Sequence, residues 1–169
     1  MNKLKLFLLV IIFISICSVY EAAAQDCNYW NATVGVKGSN LRRGDKDEKD
    51  PANIMEGIEC LLKLEGDKSR GAFGGTTSLS TAAPMPSSTV EICALYYISV
   101  LFYGKYNHAS AVVLRYRNFE ENQSFNSDEA VEIAYKSYRK WFEKVKEIGL
   151  ENARKQKFDP LECSGVRWY

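Results

Sequence analysis

The chain has 169 residues, 46% hydrophobic and 25% charged, with 22 basic residues against 21 acidic ones and a single histidine. That length suits one domain with a core of its own, and the balanced charge lacks the clustered basic excess that polyanion binding needs, so no nucleic-acid partner is expected. One histidine and the absence of any Cys-x-x-Cys pair leave no zinc or thioredoxin-like constellation, and no metal or cofactor is expected.

The chain starts Met1-Asn-Lys-Leu-Lys5, basic and without an acid, and continues as an apolar run from Leu6 to Ile16 that only Ser15 interrupts. Ala22 and Ala24 stand in the small-residue positions of a cleavage site, so residues 1–24 read as a secretory signal peptide. A membrane span needs about 20 apolar residues. This run is shorter and no later stretch qualifies, so no transmembrane segment is expected in the mature chain. A lipid anchor on Cys17 is disfavoured by the bulky Ile16 before it. Cleavage after Ala24 removes Lys3, Lys5 and Glu21, which leaves 20 basic and 20 acidic residues and the cysteines Cys27, Cys60, Cys93 and Cys163. An even number in an exported chain predicts two disulfides, and four cysteines allow three pairings. The pairing expected is Cys27–Cys163, tying the ends, with Cys60–Cys93 stapling two helices. A buried thiol at Cys60 or Cys93 is the competing reading. The expected location is the periplasm or the extracellular space, with a bacterial exporter favoured by the short basic start. Asn31-Ala-Thr33 and Asn122-Gln-Ser124 also match the glycosylation acceptor pattern of eukaryotic secretion.

Along the mature chain, Gly35 to Pro51 is polar, and Arg42 to Asp50 is almost wholly charged, as solvated loops are. Arg42-Arg43 within it is an alternative patch for acidic ligands. The first helix starts near Pro51, a residue suited to the first helical position. Ile54, Ile58, Leu61, Leu62 and Leu64 recur at helical spacing, Glu56, Glu59 and Lys63 form the wet face, and Glu65-Gly66 ends the run. Ser88 and Glu91 then form a capping box. From Ile92 to Tyr103 only Ser99 breaks an apolar and aromatic surface. A helix without a polar face has to be surrounded by other elements, so about 88–103 is the expected central helix, stopped by Gly104. Asn107 to Tyr116 reads as a short third helix capped by Asn107, while Val112-Val113-Leu114 fits a strand equally well. Asn126-Ser-Asp-Glu129 opens the longest helix, with Val131, Tyr135, Tyr138, Trp141, Phe142, Val145 and Ile148 on one stripe. Lys136, Arg139, Lys140, Lys144 and Lys146 line its other side, interleaved with Glu132, Glu143 and Glu147 as a solvated face. Gly149 ends it, Leu150 to Gln156 forms one more short helix, and the aromatic tail Gly165-Val-Arg-Trp-Tyr169 is expected to tuck against the core, held by Cys163. The fold class is therefore mostly α: a single domain over 25–169, a small bundle of four to five helices around a central apolar one, stapled by disulfides.

The longest break in periodicity, about 66–87, is where a contact is expected, because long irregular segments in compact domains are usually functional or disordered. Gly71, Gly74 and Gly75 around Phe73 let backbone amides approach a ligand, although the pattern is not a phosphate loop. Arg70, Phe73, Gly74 and Gly75, with Tyr103 and Tyr106 at the end of the central helix, are the candidate binding residues. A nucleophile–histidine dyad would have to use His108, and a carboxylate pair would be Glu56 and Glu59, three apart on one helix face. Neither forms a catalytic motif. The expected function is that of an exported, non-catalytic binding protein with a protein or cell-envelope partner, using the 66–87 loop and nearby aromatics. A small envelope hydrolase built on His108 or the Glu56/Glu59 carboxylates is the alternative. The plan is similar to that of periplasmic immunity or inhibitor proteins, a likeness of plan alone.

Overall fold

The structure, a computed structural model, describes residues 27–35, 46–71, 88–104, 112–118 and 124–169. Residues 27–34 are helical (α1) and bury Trp30 and Val34. Helix α2, Pro51–Leu62, has Asp50 as its N-cap, whose side chain accepts from the Ala52 N–H at 2.8 Å, and proline in its first turn. Its Ile54, Ile58, Leu61 and Leu62 are buried, as their spacing requires. Helix α3, Val90–Tyr103, is buried from Val90 through Phe102, and Gly104 closes it in the left-handed conformation. Helices α2, α4 and α5 surround α3, so it is the central helix. Helix α4, Asp128–Ile148, is capped by Ser127 and carries Asp128 and Glu129 in its first turn, where acids favour the helix dipole. Its stripe from Val131 to Val145 is buried. Gly149 turns the chain into α5, Leu150–Lys155.

Strands β1, Leu114–Tyr116, and β2, Val166–Trp168, pair antiparallel, with Leu114 opposite Trp168, Arg115 opposite Arg167 and Tyr116 opposite Val166. The protein is thus mostly helical with a small sheet. Leu114 to Tyr116 do not continue a third helix; the β-branched residues before them favour the extended chain. Residues 105–111 lie outside the described residues. The tail packs by this pairing rather than through Cys163, and the Trp168 ring meets Tyr96 edge-on at 5.3 Å.

The capping box at Ser88 does not form. Thr89 is the N-cap, which moves Glu91 one position too early to reach back. Backbone carbonyls satisfy the helix start instead: Val90 N–H donates to Ser69 O at 2.9 Å and Glu91 N–H to Asp67 O at 3.2 Å.

The disulfide pairing also differs from the expected one. Cys27 is bonded to Cys60, while Cys93 is a buried thiol and Cys163 an exposed one. The reason is how α1 lies on α2. Cys27 and Trp30 share one face of α1, Gly57 and Cys60 share one face of α2, and the two pairs meet in antiparallel order. A Cβ on Gly57 would come within 2.9 Å of the Trp30 ring, so glycine there lets the indole settle and brings Cys27 to Cys60.

Buried hydroxyls tie the remaining layers. Tyr135 OH donates to Glu91 O at 3.0 Å, while Tyr138 OH bonds the Ser99 hydroxyl and accepts from Trp168 Nε1 at 2.9 Å. Burial raises both phenols above their ordinary range. Tyr138→Phe leaves the Trp168 indole N–H without this acceptor and is expected to cost about 1–3 kcal/mol, read as a lower denaturant midpoint at unchanged slope. Among the described residues no helix is long and apolar enough to cross a membrane.

Candidate functional site

Two features meet at the N-terminal end of α3. The first is the base of the irregular segment. After α2 the chain turns at Gly66, whose φ is +85°, and its N–H donates to Glu91 Oε2 at 3.0 Å. Gly71 N–H donates to Ser88 O at 2.9 Å, and Arg70 pairs with Thr89, so both ends of the segment are zipped to the helix start. Glu91 is 2% exposed; its carboxylate lies 2.7 Å from Lys68 Nζ, which also bonds Asp128 at 2.6 Å. Hydrogen bonds to Asp128 and then Glu91 hold the Lys68 ammonium above its usual range. A charged group this buried needs such partners.

Gly71 also bridges Gly35, so the chain runs toward residues 36–45 and 72–87 from neighbouring points. A Cβ on Gly71 would sit 2.6 Å from Cys93 Sγ and 2.7 Å from Thr89 O. Because part of that obstacle is backbone, Gly71→Ala is expected to cost about 1–3 kcal/mol. Limited proteolysis within 66–87 should quicken in step with the fall in melting temperature.

The second feature is the outer face of the β1–β2 ribbon. The Ser88 hydroxyl donates to Val112 O at 3.4 Å, placing the start of this ribbon beside the loop base. Asn126, with a φ of +53°, locks onto Leu114 through its side-chain oxygen at 2.7 Å and its own N–H at 3.0 Å. That puts Phe125 against Tyr169, with ring centroids 6.1 Å apart. They are the exposed large hydrophobics among the described residues, at 41% and 51%. Alternation turns Leu114, Tyr116, Val166 and Trp168 inward and leaves Arg115 directly opposite Arg167 on the outer face. The Arg115 guanidinium lies 4.6 Å from the Tyr169 ring centre, and its buried Nε has no hydrogen-bond partner.

Of the residues singled out in the sequence, Arg70 is exposed at the loop base, whereas Phe73, Gly74, Gly75, Tyr106, His108, Arg42, Arg43 and Asn122 lie outside the described residues. Tyr103 is half-buried at the far end of α3 and donates to Asp159 at 2.7 Å; burial, then Asp159, raises its phenol. Glu56 is held through both oxygens by Lys46, at 2.6 and 2.8 Å, and Glu59 faces solvent, so the two do not converge on a cleft. Asn31 lies within α1 with its side-chain oxygen buried, unlike the surface loops in which glycosylation acceptors work. On α4, Arg139 pairs with Glu65, Lys144 with Glu147 and Lys146 with Glu143, the solvated face the sequence suggests. No group of residues able to hold a metal occurs among the described residues. Sequence reasoning missed Phe125, Arg115, Arg167 and Tyr169. The available signal was the alternation around Arg167, which becomes informative once the tail is read as a strand.

Neither the curated proteins nor the solved structures include a match to this chain. Residues 37–169 match the family described as Domain of unknown function (DUF4943). The match covers most of the sequence, every described element from α2 onward and both parts of the candidate site, and the chain therefore belongs to the DUF4943 family.

Proposed function

We propose that this protein is exported and acts outside the cytoplasm as a non-catalytic binding protein, of the inhibitor or immunity kind, with a protein or cell-envelope partner. The contact surface in this reading is the end of the bundle where the 66–87 loop base adjoins the outer ribbon face. One observation carries it: the exposed Phe125 and Tyr169 gather at one spot, flanked by arginines, beside a loop base pinned at Gly66 to a buried carboxylate and closed between Gly71 and Ser88. Tyrosine and arginine are enriched where proteins meet, and large apolar side chains seldom cluster in solvent without use. The signal-like residues 1–24 support export, and the Cys27–Cys60 bond fits an oxidising compartment. Of the hydrolase reading, the Glu56/Glu59 pair gains no support, since Glu56 is engaged by Lys46 and Glu59 faces solvent, and His108 lies outside the described residues.

The test places a photo-crosslinking side chain at position 125, at 169, or at the exposed Lys140 of α4, in the protein as it is exported. Discrete adducts from 125 and 169 but not from 140 are expected, together with a mature mass beginning at Gln25. The same adducts from all three positions would sink the contact face. Hydrolysis of peptidoglycan fragments that disappears in Glu56→Gln would restore the enzyme reading.

A further inference from the structure

Resting on that contact face, we infer that the Arg115–Arg167 pair is a receptor for the carboxylates of an acidic segment on the protein partner. Like charges directly opposite each other in an antiparallel pair are destabilising. Here two guanidiniums stand in register, and among the described residues no carboxylate is paired with either. Three other arginines among the described residues are engaged: Arg117 donates to Ser164 O and Leu161 O, Arg154 to Phe102 O and Leu101 O, and Arg139 to Glu65. Among the described residues the pair therefore carries positive charge that no side-chain carboxylate neutralises, and the complement that fits it is an anion.

The geometry narrows what kind of anion. The Arg115 guanidinium lies over the Tyr169 ring, 4.6 Å from its centre, and this contact restricts the planar fork before a ligand arrives, so that less freedom is lost on forming paired bonds to a carboxylate. Phe125 and Tyr169 beside it offer exposed apolar contact, and arginine with tyrosine is the composition of an interface hot spot once a partner covers it. A polyanion or an anionic membrane surface would need a wide basic field. The net charge is only +1, and the lysines of α4 are interleaved with glutamates. One or two carboxylates next to an apolar side chain, as on an acidic protein segment, is the ligand that fits.

The test measures fluorescence anisotropy of a labelled peptide of alternating Glu and Phe against the mature protein. The comparisons are a Gln and Phe peptide, inorganic phosphate and vesicles containing anionic lipid. The Glu peptide is expected to bind with salt sensitivity. Arg167→Gln should weaken it by about tenfold or more, the scale of losing a hydrogen bond between charged groups, while Lys140→Gln should leave it unchanged. Because Arg167 opposes a like charge, Arg167→Gln should also leave the unfolding temperature unchanged or raise it. The inference is overturned by any of several results: no binding of the Glu peptide, equal binding by Arg167→Gln, equal binding of the Gln peptide, or a lowered unfolding temperature. Competition by phosphate or vesicles at concentrations where the peptide fails to compete would do the same. If adducts form at 125 and 169 while the Glu peptide does not bind, the carboxylate assignment falls and the contact face stands. If neither occurs, both fall.

Discussion

Replacing Cys27 and Cys60 together by serine is expected to lower the unfolding free energy by about 4 kcal/mol, measured by denaturant titration of the oxidised parent and the variant. The bridge joins positions 33 residues apart, and for a closed loop of that size the loss of unfolded-chain entropy corresponds to roughly 3–4 kcal/mol. The same experiment checks the pairing by thiol count. In the folded, unreduced protein Cys163 should label, because it is exposed. Cys93 should label only on unfolding, because burial pushes its thiol up to about 12 and keeps it from ionising. Labelling of Cys27 or Cys60 before reduction would overturn the assignment.

Trp30→Ala is the second large effect. The indole is fully buried, and its ring occupies the space that a side chain at Gly57 would need. Removing a buried tryptophan costs about 3–5 kcal/mol, through lost burial and the cavity left behind. The indole N–H is buried without a partner, so its removal also relieves an unsatisfied donor. That places the expected loss near the lower end, about 3 kcal/mol. Trp30 and the disulfide fasten the same helix to α2. Their effects should therefore fall short of additive in a double-mutant cycle, because freeing α1 by one route leaves less for the other to hold. Full additivity would mean that α1 is anchored by contacts other than these.

Helices α2 to α5 were legible in the sequence because each carries its evidence locally. Pro51 marks a start, Ser127 with its following acids marks another, Gly104 and Gly149 mark stops, and the apolar surface from Ile92 to Tyr103, broken only by Ser99, announces the central place of α3. What was not legible depends on parts of the chain that meet only after folding. The expected Cys27–Cys163 and Cys60–Cys93 bonds followed from position along the chain. The observed Cys27–Cys60 bond follows from helix packing, for which the matched spacing of Cys27 to Trp30 and of Gly57 to Cys60 was the available hint. Strand β1 spans Leu114–Tyr116, too short for alternation to compete with a helical pattern. The ribbon face draws on residues near 115, 125 and 167, none of which looks unusual among its own neighbours. The 66–87 segment was noticeable for its missing periodicity, a sign of irregular backbone that cannot say which chemistry it serves.

The closure at Gly71 and Ser88 has a consequence for how such a protein can change. Both ends of the intervening stretch leave the body at one point, joined by a backbone hydrogen bond of 2.9 Å. Doubling the length of a flexible stretch closed in this way adds only about 0.6 kcal/mol of entropic cost. The length of sequence between Gly71 and Ser88 can therefore change at small entropic cost while the helices beneath stay as they are.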